Sequence, residues 1–242
     1  MRTDIDLVFL QHCENDDMRV LCDILTKDKD GDYRLSERLS NSDSYINCYP
    51  NNMKGMWQDV AAELQRFGGN TFLNAFRHGR GPSYESIVLD VCKKMKVKDV
   101  GEHDTAEEME QKLLLTLTEK MVEKLSAEEI EKLMHELKIE GHSYTKQGLM
   151  AALLVARTVN KRFFLFIMSS ISFYVTELLV GRGVMAATWG VLSRGTQLLL
   201  GPVGWLICGA WTAWDIAGPA YRVTVPAVVQ VAYMRMKYNT KG

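Results

Sequence analysis

Phe163-Phe-Leu-Phe-Ile-Met-Ser-Ser-Ile-Ser-Phe-Tyr-Val-Thr-Glu-Leu-Leu-Val180 is apolar on every side of the helix it would form. A helix without a polar face is either buried in protein all round or surrounded by lipid. The stretch has 18 residues interrupted only by Glu177, which puts it at the short end of what spans hydrocarbon. A second run, Gly195 to Trp214, has 20 residues and no charge, but it holds Pro202 and four glycines. Its length meets the spanning requirement, while its composition says that any helix there is broken or closely packed. Buried core and bilayer therefore both stay open for the pair.

Outward from these runs the composition divides at Gly141-His142. Residues 1–142 carry 19 basic and 28 acidic side chains, and residues 143–242 carry 10 basic and 2 acidic ones. The nets of −9 and +8 cancel to the overall −1, so the neutral total conceals an acidic half and a basic, apolar half. Long-range attraction brings such a basic region to nucleic acid or to anionic lipid. Most of its cations stand singly between apolar runs rather than in a polar stripe, which points to lipid and away from nucleic acid. The alternative is internal, with the acidic half covering the basic one. Arg157, Lys161 and Arg162 precede the first run and Arg222, Arg235, Lys237 and Lys241 follow the second, whereas Arg182 and Arg194 lie between. By the positive-inside rule a hairpin would keep both ends in the cytosol.

The acidic half reads as short helices. Leu7, Phe9, Leu10, Val20, Leu21, Ile24 and Leu25 recur at helical spacing, broken at Asn15-Asp16-Asp17 and at the charged turn Lys27 to Asp32. Residues 41–54 read as a loop. A helix from Met56 to Phe67 is expected to stop at Gly68-Gly69, and another runs through Ile87, Val91 and Met95. Thr105 with Glu108 and Ser126 with Glu129 have the spacing of capping boxes, in which hydroxyl and carboxylate satisfy each other's backbone donors. They predict two helices paired as an antiparallel hairpin closed by Gly141. The expected fold is all-α: a small helical segment at 1–40, an acidic soluble helical domain at 41–142, and a basic, glycine-rich apolar hairpin region at 143–242.

The cysteines are five, with no C-x-x-C pair, which predicts reduced structural thiols. The start, Met1-Arg2-Thr3-Asp4-Ile5-Asp6, is acidic where a signal peptide is basic, so the first half is expected to stay in the cytosol.

Three strings carry a resemblance. Trp57-Gln-Asp-Val-Ala-Ala-Glu-Leu-Gln-Arg-Phe-Gly-Gly69, Ile87-Val-Leu-Asp-Val-Cys-Lys-Lys94 and Gly218-Pro-Ala-Tyr-Arg-Val-Thr-Val-Pro-Ala-Val228 look like those of the bacterial YaaW-like family, which is grouped with the ubiquinol-cytochrome c chaperones. The beginning through Leu39 resembles a small domain of unknown function found at the front of such proteins. The resemblance implies a helical fold and bacterial origin, and it brings no catalytic residue.

Local site signals are few. Thr26 to Glu37 has the acids Asp28 and Asp30, then Gly31 and Glu37, at the third, fifth, sixth and twelfth positions of a calcium loop. Thr26 stands where an Asp is needed, which favours a charged Asp-Gly turn over a metal site. Gly181-Arg-Gly183-Val-Met-Ala186 matches a dinucleotide pattern without its strand-helix context or following acid. His135-Glu136 lacks the second His of a zinc-protease motif. Small residues recur at Gly183, Ala187 and Gly190, and Gly201, Pro202, Gly204, Gly209, Gly218 and Pro219 punctuate the rest, as close helix packing requires in a membrane or equally in a soluble helical hairpin. Glu177 and Asp215 are the acids of the basic half and are expected to pair with Arg182 and Arg222.

The function expected from these features is non-enzymatic and without a cofactor. A cytosolic helical domain would control an apolar hairpin, serving as an anchor or a conditional membrane-perturbing element. The place is the cytoplasmic side of the bacterial inner membrane, or the cytoplasm with conditional membrane association. Lipid is the expected partner, with a homo-oligomer or a membrane-protein client beside it, and an assembly chaperone is the alternative.

Overall fold

The computed structural model describes residues 4–71, 82–136, 139, 143–181 and 220–241. Among them every regular element is helical, and one isolated bridge between Lys27 and Tyr33 closes the charged turn. A 3-10 segment, Ile5–His12, leads into α1 (Asn15–Thr26). Then come α2 (Asp43–Cys48), a 3-10 turn at Met53–Met56, α3 (Trp57–Thr71), α4 (Tyr84–Lys94) and α5 (Ala106–Lys124). The order ends with α6 (Ala127–Glu136), α7 (Lys146–Val159), α8 (Lys161–Leu179) and α9 (Tyr221–Lys241).

The core is built around α9. Ten successive residues, Val223 to Ala232, are buried, so the helix is covered on its whole circumference. Its neighbours are α1, α3, α4, α5, α8 and the segment Ile5–His12. Valine is a mediocre helix former, by up to about 0.7 kcal/mol relative to alanine, but burying a valine side chain is worth about 1.5–3 kcal/mol. Burial wins at Val223, Val225, Val228, Val229 and Val231, and packing rather than propensity holds this helix. It also holds Pro226, which has no N–H for the preceding turn. The compositional border at Gly141-His142 is thus no border to packing, because α9 from the basic half lies among the helices of the acidic one.

The helix α8 is the first apolar run. It packs along α9 and also meets α7 and α5. Ile167, Met168, Ile171, Tyr174 and Val175 are buried, while Phe163, Phe164, Phe166 and Phe173 are only partly covered. It is the one described helix long and apolar enough to cross a membrane, and 44% of its apolar window is buried inside the protein. A core helix meets the same criterion, so insertion draws only slight support from it. Gly181 ends it at φ +110°, where a Cβ would sit 2.7 Å from Lys29 Cα, so only glycine lets the charged turn approach this closely.

Both capping boxes form. The Thr105 hydroxyl accepts from Glu108 N–H while the Glu108 carboxylate accepts from Thr105 N–H, and Ser126 and Glu129 repeat the exchange. Three local expectations fail. The helix α3 passes through Gly68-Gly69 to Thr71, because the bare Gly68 receives the Ile87 side chain of α4 where any Cβ would collide. Asn15-Asp16-Asp17 does not break a helix but begins α1, where acids favour the positive end of the dipole. Inside the expected loop 41–54, Ser42 caps α2 by accepting from Tyr45 N–H. The hairpin of α5 with α6 is not the main packing either: α6 lies on α7, and α5 lies on α4 and α9.

Candidate functional site

Beyond Ala232 the core helix α9 becomes polar, and its cations meet the acidic half. Arg235 Nε donates to Glu110 Oε2 at 2.7 Å, and its terminal nitrogen reaches Glu110 Oε1 at 3.2 Å and the Asp6 carbonyl at 2.6 Å. The Tyr84 hydroxyl donates to Glu110 Oε1 at 2.7 Å, and the guanidinium lies 4.2 Å over the Phe9 ring. Burial pushes the Glu110 carboxyl above its ordinary value, and the charge and hydrogen bonds of Arg235 and then Tyr84 pull against that rise. Burial opposes the Arg235 charge too, but Glu110 overcomes it and the guanidinium is held above its usual range. Burial, with the Glu110 charge second, pushes Tyr84 far up, so its proton stays in place. Both carboxylate oxygens are occupied, so Glu110 ties α4, α5 and α9 together rather than standing ready as a base.

Two residues further along α9, Lys237 donates to Asp17 Oδ2 at 2.7 Å and to Glu14 Oε2 at 2.5 Å. Burial opposes its charge, yet Asp17 and its neighbours raise Lys237 above the usual lysine range. Asp17 itself is raised by burial in spite of Lys237. Deeper still, Gln230 bridges three helices: its amide donates to the Asp17 carbonyl at 3.1 Å and its oxygen accepts from the Ser172 hydroxyl at 2.7 Å. A buried amide is tolerable because both ends are satisfied.

Beside the Arg235–Glu110 pair opens a cleft of about 260 Å³ between α5, the end of α7, the start of α8 and the end of α9. Its floor includes Leu114, Phe164, Leu165 and Met236, and Arg157 and Lys161 stand at its edge. Arg157 donates to the neutral Gln111 Oε1 at 2.6 Å. Glu107 Oε1 is occupied by Asn239 at 3.0 Å and Gln111 at 3.2 Å. The cleft is therefore an apolar-floored hollow whose lining also holds Arg157, Lys161 and Glu107.

The calcium-loop residues go separate ways. Asp28 Oδ1 accepts from the backbone of Asp30 and Asp32, at 3.0 and 3.1 Å, and so closes its own turn. Asp30 is exposed beside Lys29, and buried Glu37 accepts from Ser40 N–H at 2.8 Å. Among the described residues no cluster of three His, Cys, Asp or Glu forms a metal-binding group. Glu177 is half-buried on α8 and Arg222 is exposed at the start of α9. Their expected partners Arg182 and Asp215 lie outside the described residues, as do Gly183, Gly190, Gly201, Pro202, Gly204, Gly209, Gly218 and Pro219. Cys13, Cys22, Cys48 and Cys92 are free thiols, and burial lifts Cys13 and Cys92 to about 12.

Sequence reasoning passed over Tyr84, Glu110 and Arg235. Glu110 offered a signal: it falls beside Met109, Leu113, Leu114 and Leu117 on the apolar side of α5, where an acid needs a partner. Its partner is 125 residues away, and no local pattern names it.

The chain is similar over nearly its whole length to curated bacterial proteins. It is 37% identical over 237 residues to a UPF0174 protein of Helicobacter pylori strain J99, covering 97% of this chain and 92% of that one. It is 32% identical over 234 residues to the UPF0174 protein YaaW of Escherichia coli K12, covering 96% and 94%. Residues 1–35 match a domain of unknown function, DUF3944. No solved structure matches the chain.

Proposed function

The chain belongs to the UPF0174 family, and from that premise we propose that it is a non-enzymatic, membrane-associated protein of the bacterial cytoplasmic face. In this reading the body of helices around α9 holds α8, and with it controls the apolar, glycine-rich sequence that follows. The observation that carries the reading is the unequal cover of α8. One side is sealed against α9, while Phe163, Phe164, Phe166 and Phe173 keep part of their surface outside the core. Partly bare aromatic side chains on a helix of spanning length are what a lipid-facing or conditionally inserting element requires. The sequence from Gly195 to Trp214, free of charge, extends the same character.

Fractionation tests it. Membranes from cells making the full chain are washed with alkaline carbonate, which strips peripheral proteins. Retention in the pellet is expected, and a charged residue in place of Phe166 or Phe173 should reduce it. Complete release into the wash, with the protein monomeric and soluble, would overturn the reading. Stoichiometric copurification of a membrane-protein client from such a soluble pool would replace it with an assembly-chaperone role.

A further inference from the structure

The described chain stops after α8 and resumes before α9 at one and the same end of the body. The start of α8 lies beside the end of α9, since Lys161 and Phe164 line the same cleft as Met236 and Thr240, and Ser172 meets Gln230 midway. The two helices are therefore antiparallel, and Gly181 and Ala220 fall at the end of the body opposite that cleft. The charged turn after α1 is there too, with Lys29 against Gly181. So is the last turn of α4, where Lys94 Nζ lies 5.0 Å from the centre of the Tyr221 ring. The sequence joining the two ends, residues 182–219, includes the charge-free run of spanning length from Gly195 to Trp214.

The end of α4 brings to this place a cationic surface that the composition of the acidic half conceals. Residues 93–98 hold four lysines and no acid. Lys93, Lys96 and Lys98 are exposed, and Lys120 of α5 joins them by donating to the Met95 carbonyl at 2.6 Å. Burial and then the charge of Lys96 hold Lys120 below the usual lysine range, with Glu123 pulling the other way. The neighbouring acids are fewer than the cations. Asp90 accepts from the Tyr221 hydroxyl, Asp99 and Glu123 stand at the margin, and Arg222 adds another exposed cation. Lys93 and Lys94 suit the negative end of the α4 dipole. That leaves Lys98, beyond the helix, and Lys96, which holds at φ 57° a left-handed position where glycine is usual. The charged turn at the same end carries Asp28, Asp30 and Asp32 against Lys29, so the positive surface is confined to the α4 flank.

We infer that this flank, Lys93, Lys94, Lys96, Lys98, Lys120 and Arg222, is the face by which the body docks on an anionic lipid leaflet. The inference rests on the membrane-associated reading above and adds to it the docking face and the lipid class. Charge selects the lipid, because lysines held near an anionic leaflet gain an attraction that a zwitterionic leaflet lacks. Position selects a bilayer over nucleic acid. The lysines stand where the chain leaves for its apolar, charge-free run and returns from it, and the Tyr221 ring beside them is covered by Lys94 rather than open for base stacking. None of these residues belongs to α8, so the face does not depend on how that helix meets lipid.

The experiment binds the full chain to vesicles of phosphatidylcholine, alone or mixed with phosphatidylglycerol, and follows acetylation of its lysines by an amine-reactive ester with mass spectrometry. On phosphatidylglycerol, Lys93, Lys96 and Lys98 are expected to react about fivefold or more slowly than on phosphatidylcholine, and high salt should remove the difference. Lys54, exposed next to Met53 at the other end of the body, where Asn15 opens α1, should react equally on both. The triple variant Lys93→Gln, Lys96→Gln, Lys98→Gln should lose about tenfold or more of the preference for phosphatidylglycerol. Its three side chains are exposed, and an unchanged unfolding midpoint will verify that it folds. Equal reactivity of the three lysines on both vesicles, an undiminished preference in the triple variant, or protection by a single-stranded RNA oligonucleotide but not by phosphatidylglycerol would each overturn the inference. Those outcomes leave carbonate retention of the parent chain standing, whereas release into the wash together with no vesicle binding would sink the membrane reading and this inference with it.

Discussion

The helices α8 and α9 pose the same question to a reader of the sequence and receive different neighbours in the fold. The first is the greasier of the two, yet it is covered mainly on one side. The second carries Thr224, Pro226 and Gln230 in its middle and is sealed all round. Apolar composition therefore does not measure burial. Polar groups on both helices have partners, Thr224 donating to the Ala220 carbonyl and Gln230 to the Asp17 carbonyl on α9, and Ser172 to Gln230 and Thr176 to the Ser172 carbonyl on α8, so the contrast lies in their cover and in their cations. Its terminal cations find Glu110 and Asp17, whereas the cations that open α8 find no carboxylate among the described residues.

The strongest way to break that contrast is a matched pair of charges. Val228→Asp puts an unpaired carboxylate at a fully buried position of α9 and should cost more than about 4 kcal/mol, leaving little folded protein in urea titrations at neutral pH. Phe166→Asp on the half-covered side of α8 should cost about 1–2 kcal/mol and leave a cooperative transition. Equal losses would mean that α8 is as much a core helix as α9.

Next in size is the tie between α9 and α5. Arg235→Met leaves Glu110 charged and buried and should cost about 3–5 kcal/mol, while adding Glu110→Leu should recover most of it. A cycle of both single variants and the double variant, read by denaturant unfolding, checks this. Failure of the double variant to recover would show that Tyr84 and the Asp6 carbonyl, rather than the pair itself, carry the contact.

Parts of this were legible and parts were not, for reasons of distance along the chain. Thr105 with Glu108 and Ser126 with Glu129 announce helix starts because each box is complete within four residues. The all-helical class follows from the same local spacing. Gly68-Gly69 misleads, since glycine ends a helix only where nothing needs its bare surface, and here Ile87 of another helix does. The circumferential burial of α9 was hidden because, apart from α8, the helices that cover it come from the other compositional half. The cleft was hidden for the same reason: Arg157 and Lys161 read as flanks of a span until α5 and α9 are set beside them.

The far end of α8 gives a smaller test of how firmly it is held. Gly181→Ala must push a Cβ into the Lys29 backbone at a φ that alanine rarely adopts, and should cost about 1–3 kcal/mol. Gly31, at φ 89° in the charged turn itself, needs the same backbone freedom, and Gly31→Ala should cost about 1 kcal/mol through backbone strain. If the two losses match, the seat of α8 on that turn contributes nothing beyond backbone strain.

The finest distinction is between the two sets of cations. Lys237 is raised in the fold by Asp17, Tyr233 and Glu14 against the opposing effect of burial. Its contribution is therefore fully present below the unfolded lysine value near 10.5 and is lost as pH rises through the higher folded value. Asp17, raised by burial, adds no stability that acid would remove, so the pair shows itself on the alkaline side. Lys237→Gln should cost about 1–2 kcal/mol at pH 8, and the gap from the parent chain should close toward strongly alkaline pH. Lys161→Gln should go the other way. It relieves a cation at the positive end of α8 and should stabilise by a few tenths of a kcal/mol, less in high salt. A loss at both positions would place a carboxylate beside Lys161 and remove the electrostatic difference between the helices.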